Sequence, residues 1–330
     1  MLDDRELLYT IASLYHEKGK NQQEISNLLN LSRPMVSRAL AKAEDLGIVR
    51  IQVIPPAGCS PLEMDLAKAL GIKRVVIGQC TEQSGNDRDN RIRAIAASAG
   101  SFLSLAVQSG MAVGVGWGIT VHRSILALPD CPNLKGVTVV PMVGSAGRTE
   151  SHYQVNIIAD RMAEKLHGNA LFFNIPAFVS DLKVRDFFSR DPQMKAIQDL
   201  WNRLDIAIVG LGAFGGTPSF PVGEYTLEAL EDLKRQKVVG DILGRFFNTE
   251  GFIGDVAPDD SLITRPMPNV NEKVYLGIPV DALRKAKQIV CICGGSLKIP
   301  SIRTAAALNL FDCLITDSQT AEQLAESLER

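Results

Sequence analysis

The sequence predicts an α/β protein made of a small helical N-terminal domain and a larger domain built on a mainly parallel sheet. The chain has 330 residues, about twice a typical domain length, which favours two domains. Helical periodicity dominates the first fifty residues, whereas short apolar runs alternate with helical stretches from about residue 61 onward. The break Pro55-Pro56-Ala57-Gly58 separates the two patterns. We therefore expect domains at residues 1–56 and 57–330.

Composition narrows the class of protein. With 46% hydrophobic residues, 22% charged residues and a net charge of −2, the chain resembles ordinary soluble globular proteins. Residues 1–55 carry seven Lys or Arg against seven Asp or Glu, so any affinity for DNA must come from how charge is distributed. The sequence contains no secretion signal and no apolar stretch of about 18 residues. We expect a cytoplasmic protein with no membrane partner.

The cysteines and glycine motifs argue against a metal or a cofactor. The six cysteines include no C-x-x-C pair and no histidines at zinc spacing, so we interpret them as buried thiols. The chain contains no Walker A motif, and the glycines of VGVGWGIT have the spacing G-x-G-x-G and not the G-x-G-x-x-G of dinucleotide-binding proteins. We expect no cofactor.

Two helices are predicted before residue 30. Apolar residues recur at helical spacing from Leu7 to Tyr15, and the pattern stops at Gly19. Asn21 followed by Glu24 predicts a capping box at the start of the second helix. Ile25, Leu28 and Leu29 should form the inner face of that helix.

A third helix and a strand complete the N-terminal domain. Ser32 is a good N-cap, and Pro34 fits the first turn of the helix. Val36, Leu40 and Ala43 should face inward, and the helix should end at Leu46-Gly47. Alternating residues at 48–53, with Arg50 among them, predict a β-wing.

A tight turn between two helices, the second of which begins with exposed polar and basic residues, is typical of a helix-turn-helix. In that motif the second helix enters the DNA major groove by its N-terminal residues. Arginines there either pair with guanine or hold phosphate, and the sequence leaves both open. The alternative is a small helical protein-interaction domain with solvated arginines. The candidate DNA-binding residues are Gln22, Gln23, Ser32, Arg33, Ser37, Arg38 and Arg50.

Three strand-to-glycine loops stand out in the larger domain. They are VGVGWGIT at 113–120, IVGLGAFGG at 208–216 and CICGGSLKIP at 291–300. Glycines after a buried strand let backbone N–H groups approach an anion, and Lys298 adds a point charge. Each loop alone could be a tight turn that needs glycine for its backbone geometry. Three such loops on one edge of a parallel sheet favour a ligand crevice.

Several motifs together resemble a known family. The stretch NQQEISNLLNLSRPMVSRALAKAEDLGIVRIQV is similar to the N-terminal domain of the SorC family of bacterial sugar-responsive transcription regulators. The likeness continues through VGVGWGIT, GDILGRFFN, CICGGSLKIPSIRTAAAL and LITDSQTAEQL, so it covers nearly the whole chain. The resemblance implies a winged helix-turn-helix followed by a Rossmann-like α/β effector domain similar to the sugar-phosphate isomerase and glucosamine-6-phosphate deaminase fold. It also implies a homodimer or homotetramer that regulates carbohydrate catabolism by binding operator DNA.

The same resemblance implies which residues bind the effector, a sugar or sugar phosphate. The phosphate end would be held by Gly116, Gly118, Thr120, Gly294, Gly295 and Lys298. Gln154, Asn156, Asp241 and Asp317 are candidates for contacting sugar hydroxyls or for framing the pocket. For Asp317 the favoured interpretation is instead the N-cap of the last helix.

The fold that the family resembles includes enzymes, so turnover is an alternative. Of the four histidines, only His122 and His152 are placed to face a ligand, and a plain structural role is favoured for both. We expect a sensor without catalysis. The alternatives are an isomerase-like or deaminase-like enzyme with an appended DNA-binding head, and a nucleotide-responsive regulator, which the G-x-G-x-G spacing of VGVGWGIT disfavours.

Overall fold

A computed structural model describes residues 4–49, 60–80, 87–145, 154–179, 182–214, 227–253 and 274–329. The chain divides into two compact units, residues 1–56 and 57–330. None of the helices in these ranges combines the length and the apolar composition that a membrane crossing requires.

The N-terminal unit contains three helices, α1 (Asp4–His16), α2 (Gln22–Leu29) and α3 (Arg33–Asp45). Its core is small and is formed by apolar residues that recur at helical spacing. Ile11, Ile25 and Val36, one from each helix, are fully buried. The three helices therefore pack around a common centre, as the periodicity of the sequence predicts.

The helix starts are fixed by the residues that the sequence indicates. The Asn21 side chain accepts hydrogen bonds from the N–H groups of Gln23 and Glu24, both at 3.0 Å, and Glu24 Oε2 accepts from Asn21 N at 2.8 Å. Ser32 caps α3 by accepting from Met35 N at 3.4 Å. Asn30 adopts a left-handed conformation, with φ of 55°, and ends α2. The capping box and the helix-turn-helix layout are thus confirmed.

Of the other predictions for this unit, one is wrong and one lies mostly outside the described residues. Leu28, expected on the inner face, is 60% exposed, because the short helix buries only Ile25 and Ser26. The β-wing at 48–53 lies mostly outside the described residues, and so does Arg50. Ile48 and Val49, which are described, pack against the buried residues Leu8 and Ala43.

The second unit alternates helices and strands. Its helices are α4 (Pro61–Leu70), α5 (Asp87–Ala106), α6 (Ile119–Leu126), α7 (Val155–Lys165), α8 (Leu182–Ser189), α9 (Pro192–Trp201), α10 (Leu227–Arg235), α11 (Val280–Arg284), α12 (Ile299–Ala307) and α13 (Ser318–Leu328). Its strands are β1 (Arg74–Gly78), β2 (Ala112–Val115), β3 (Thr138–Pro141), β4 (Asn169–Ala170), β5 (Phe178–Val179), β6 (Ile206–Ala213), β7 (Gly240–Ile242), β8 (Arg245–Asn248), β9 (Gly251–Phe252), β10 (Val274–Tyr275), β11 (Gln288–Ile292) and β12 (Cys313–Asp317).

Among the described residues, one large sheet has the strand order β1-β12-β11-β6-β2-β3-β4, with every neighbouring pair parallel. An antiparallel extension, β7-β8-β9, continues from the end of β6. β5 and β10 form a separate antiparallel pair. The mixed α/β architecture with a mainly parallel sheet is confirmed, whereas the resemblance to the isomerase and deaminase fold stays a prediction.

The central strands are apolar along their whole length because helices cover both faces of the sheet. Ile206 to Val209 in β6 and Ile289 to Ile292 in β11 are all buried. Their side chains join one core cluster with Trp201, whose indole N–H donates to the carbonyl of Pro141 at 2.9 Å. This core fixes the carboxyl ends of the central strands.

The strand order reverses between β2 and β6. From β2 the chain proceeds outward to β3 and β4, whereas from β6 it proceeds the other way to β11 and β12. In open α/β sheets such a reversal leaves a crevice beyond the carboxyl ends of the strands, where ligands bind. The glycine loops predicted from the sequence follow β2, β6 and β11 and therefore meet there.

Candidate functional site

A crevice of about 180 Å³ lies at this reversal, at the carboxyl ends of β2, β6 and β11. Residues from all three glycine loops line it, together with the first turns of α5 and the start of α6. Six of the nine residues proposed from the sequence as effector contacts come together here. They are Gly118, Thr120, Asp241, Gly294, Gly295 and Lys298.

The loop after β2 forms one wall. Gly118 has φ of 123°, a conformation that side chains disfavour, and it starts α6 without a side-chain cap. Gly116 does not line the crevice and lies behind this wall, where its N–H donates to the carbonyl of Ile208 at 2.8 Å. A Cβ at Gly116 would overlap the side chain of Leu243. Gly116 is needed for close packing, and its N–H is already used within the sheet.

The hairpin between β7 and β8 also lines the crevice. Its two turn residues, Leu243 and Gly244, have φ of 56° and 81°, which is the geometry of a type I′ turn. Leucine in this conformation costs about 1 kcal/mol. The buried Leu243 side chain packs over Gly116 and lines the crevice. The turn thus places an apolar side chain and the adjacent Asp241 at the ligand position.

Asp241 is the carboxylate that faces this space. Its Oδ2 accepts from Gly244 N at 3.2 Å, and a Cβ at Gly212 would overlap the Asp241 carboxylate. Burial raises the pKa of Asp241 to about 6, although the Gly244 N–H and the charge of Lys298 both favour ionisation. Asp241 is therefore a carboxylate that changes charge within reach of neutral pH.

The loop after β11 carries Lys298. Gly295 has φ of 112°, and its carbonyl accepts from Lys298 N at 2.9 Å, which closes the short 3₁₀ helix Ser296–Lys298. The helix α12 follows directly. Lys298 lines the crevice and is near enough to Asp241 to favour its ionised form.

Two arginines that sequence analysis did not single out also line the crevice. Arg88 and Arg91 are three residues apart in the first turns of α5, so they lie on one face of the helix. Arg91 contacts the carboxylate of Asp87 and donates to Gln319 Oε1 at 3.4 Å. The sequence does contain a signal for these two arginines. A helix that follows a parallel strand begins at the carboxyl edge of the sheet, and α5 follows the parallel strand β1.

Gln154 and Asn156 lie outside the crevice. Asn156 donates to the carbonyl of Phe173 at 3.2 Å and accepts from Phe173 N at 2.9 Å. These bonds tie α7 to the segment after β4. Gln154 occupies the N-cap position of α7 without a side-chain cap bond. Both residues lie at the start of α7, and the sequence alone does not distinguish an amide in that position from a ligand contact.

Histidines do not line the crevice among the described residues. His122 is 7% exposed and sits on α6 below the surface. His167 has φ of 49° and its Nε2 lies 2.9 Å from Asp130 Oδ1. His152 falls outside the described residues. The described crevice thus combines three cations with one carboxylate, and no group of three or more potential metal ligands is found in the same ranges.

The candidate DNA-binding residues of α3 lie on its exposed face. Arg33, Ser37 and Arg38 are exposed, whereas Val36 is fully buried and Leu40 is 7% exposed. Arg38 Nε donates to the carbonyl of Pro34 at 3.3 Å, which directs the side chain toward the start of the helix. Gln23 is exposed on α2, and Gln22 is partly exposed.

Known proteins are similar to this chain over both of its units. Residues 54–326 match the family model described as "Putative sugar-binding domain". The sorbitol operon regulator of Klebsiella pneumoniae is 28% identical over 329 residues, with 98% of each chain covered. The deoxyribonucleoside regulator of Bacillus subtilis is 28% identical over 334 residues, with 99% of each chain covered.

Solved structures agree with this result. The crystal structure of the full-length sorbitol operon regulator SorC from Klebsiella pneumoniae matches with a TM-score of 0.75 at 26% identity. The match covers 98% of this chain and 99% of that one. A helix-turn-helix unit and an α/β unit with a crevice at its strand reversal define a transcriptional regulator that responds to a small ligand. The chain belongs to the sugar-binding domain family of such regulators, and its resemblance to the SorC family is confirmed.

Proposed function

We propose that this regulator binds a phosphorylated sugar or polyol in the crevice and that binding alters its affinity for operator DNA. The observation that carries the proposal is the set of charges around the glycine loops. Arg88, Arg91 and Lys298 face one small space whose described carboxylate is Asp241. With Asp241 ionised and the Asp87 carboxylate paired to Arg91, the three cations and two carboxylates leave one net positive charge, which favours an anionic ligand.

The residues divide between the two ends of such a ligand. Lys298 and the two arginines suit a phosphate, with Gly118, Thr120, Gly294 and Gly295 allowing it to approach the backbone closely. Asp241 suits a sugar hydroxyl, because a carboxylate accepts hydrogen bonds from it.

The N-terminal unit supplies the DNA contacts in this proposal. Arg33, Ser37 and Arg38 on α3 face the major groove, while Gln22 and Gln23 contact phosphates. Ser32 holds the start of α3. Operators with two half-sites require at least a dimer, so we propose a homodimer or homotetramer in the cytoplasm.

The crevice is proposed to bind its ligand without turnover. General acid-base catalysis requires positioned groups that exchange protons with the substrate. Asp241 is flanked by cations, and the described lining offers it no second carboxylate or histidine as a partner. The relatives with matching length are named as regulators. Chemical conversion of a sugar phosphate by the purified protein would contradict this part of the proposal.

The melting temperature of the purified chain tests the proposal. It should be measured against hexose, pentose and polyol phosphates and against their unphosphorylated parents. A ligand that binds the folded state at about 100 times its Kd stabilises it by about 2.7 kcal/mol, which raises the melting temperature. We expect stabilisation by at least one phosphate and by none of the parent sugars at the same concentration.

Lys298→Ala should remove most of that stabilisation, because the phosphate loses a charge-assisted hydrogen bond. Lys285→Ala is the matched control, since Lys285 is an exposed lysine that does not line the crevice. Equal stabilisation of both variants would exclude Lys298 from the site. Stabilisation of the unchanged chain by a parent sugar alone would contradict the assignment of a phosphate.

A further inference from the structure

A chain of buried hydrogen bonds begins at the junction of β12 and α13 and leads to the crevice. Asp317 is fully buried and accepts at both carboxylate oxygens from the same residue, Thr320. Thr320 N donates to Oδ1 at 2.9 Å, and the Thr320 hydroxyl donates to Oδ2 at 2.6 Å. The first of these bonds confirms Asp317 as the N-cap of α13. The second bond, from the Thr320 hydroxyl, is not part of an N-cap, which needs only a bond from a backbone N–H.

The Thr320 hydroxyl also makes a bond across to the loop after β11. Its oxygen accepts from Gly295 N at 2.6 Å. The hydroxyl donates to the Asp317 carboxylate and accepts from the Gly295 N–H, so each partner of the hydroxyl has one role. The Gly295 carbonyl in turn accepts from Lys298 N at 2.9 Å. The bonds therefore run without a break from Asp317 to Lys298.

Close packing at Gly294 requires a glycine where the loop after β11 meets Asp317. A Cβ at Gly294 would overlap Asp317 Oδ2 and would lie 2.6 Å from Ile95 Cδ1. Only glycine lets the loop approach the buried pair so closely. Thr320 itself is 1% exposed and does not line the crevice. Any influence of Thr320 on a ligand must therefore pass through the loop at residues 294–298.

We infer that Thr320 is a positioning residue for the effector: its hydroxyl fixes the loop at residues 294–298 so that Lys298 faces the anionic group of the ligand. This inference rests on the proposed function. It adds a residue that acts through a buried bond and not by contact. The Gly295 N–H is committed to Thr320, so the contribution of Gly295 to binding is its backbone geometry.

The test uses the full-length chain with Thr320→Val, which removes the hydroxyl but keeps the shape of the side chain. The probes are inorganic phosphate and the sugar phosphate that most raises the melting temperature of the unchanged protein. The substitution removes both hydrogen bonds of the hydroxyl, to Asp317 and to Gly295. Loss of the bond that holds Gly295 should weaken binding of both probes about tenfold. Thr320→Ser keeps the hydroxyl and should restore binding.

A double-mutant cycle with Lys298→Ala separates positioning from general destabilisation. If Thr320 acts through Lys298, the valine substitution should change affinity little when Lys298 is already alanine. The same loss in both backgrounds, or no loss in the single variant, would overturn the inference. An unchanged protein that binds no phosphorylated probe would instead refute the proposed function.

If Thr320→Val does not fold, hydrogen exchange of the unchanged protein tests the inference instead. The amide of Gly295 should exchange its hydrogen slowly, at a rate comparable with amides in β11, because it is bonded to a buried hydroxyl. Exchange as fast as that of an exposed loop would overturn the inference.

Discussion

At the scale of single residues, Asp241 links the charge of the crevice to pH. Burial raises its pKa from 3.8 to about 6. An acid whose pKa is raised by folding stabilises the folded state below its unfolded pKa, and this stability is lost as the pH rises through the folded pKa. The contribution of Asp241 to the free energy of unfolding therefore changes between about pH 4 and pH 6.

Asp241→Asn should remove this dependence. We expect the free energy of unfolding of the ligand-free variant to exceed that of the unchanged chain above pH 6, by at most about 3 kcal/mol. The difference should shrink as the pH falls toward 4, where Asp241 becomes neutral. Urea unfolding at several pH values measures it. A difference that grows toward low pH would show that the Asp241 carboxylate is stabilised by its neighbours.

Residue types predicted part of this site and could not predict the rest. Lys298, Gly294 and Gly295 were found because a glycine turn with a lysine follows a buried strand. Arg88 was missed because an arginine on a polar helix face resembles any solvated charge. Asn156 does not line the crevice, and its amide is bonded to the backbone of Phe173. A sequence does not show which polar groups are already paired.

At the scale of elements, the helix α2 depends on its N-terminal cap. Asn21 satisfies two backbone N–H groups, and Glu24 returns a bond to Asn21 N. Asn21→Ala should destabilise the N-terminal unit by about 1 kcal/mol, because those N–H groups lose their partner. The loss of helical circular dichroism on heating would report it as an earlier transition.

Asn27→Ala is the matched control for this prediction. Asn27 is exposed on the same helix and bonds only to the side chain of Gln23 among the described contacts, at 3.2 Å. It should change the transition by much less than Asn21→Ala. Equal effects of the two substitutions would mean that the capping box contributes nothing measurable.

Elements were predictable where local chemistry decides them. Caps and periodicity located α2 and α3, and apolar runs located the central strands of the sheet. The extension β7-β8-β9 was missed because its turn uses Leu243-Gly244 and not Asn-Gly or Asp-Gly. The apolar run ALFF at 170–173 predicts a strand, but β4 is only Asn169–Ala170, since only Thr138 and Val139 of β3 pair with it. Both outcomes depend on tertiary contacts.

At the scale of the whole molecule, the two units should be separable by substitution. Arg38→Ala should weaken operator binding about tenfold or more and leave stabilisation by sugar phosphate unchanged. Binding to DNA sequences selected by the protein from a random pool, measured by fluorescence anisotropy, provides the comparison.

Arg5→Ala serves as the control, because Arg5 is an exposed arginine that belongs to α1 and not to the predicted recognition helix. It should reduce operator affinity much less. Unchanged affinity in Arg38→Ala would contradict the placement of α3 in the major groove.

The central claim is that occupancy of the crevice changes operator affinity, and a ligand can do so only if it binds one arrangement of the protein better than another. The most direct test is the operator Kd with and without a saturating sugar phosphate, for the unchanged chain and for Lys298→Ala. We predict a change of about fivefold or more in the unchanged chain and a much smaller change in the variant at the same ligand concentration. An operator Kd that the bound ligand leaves unaltered in the unchanged chain would contradict the account.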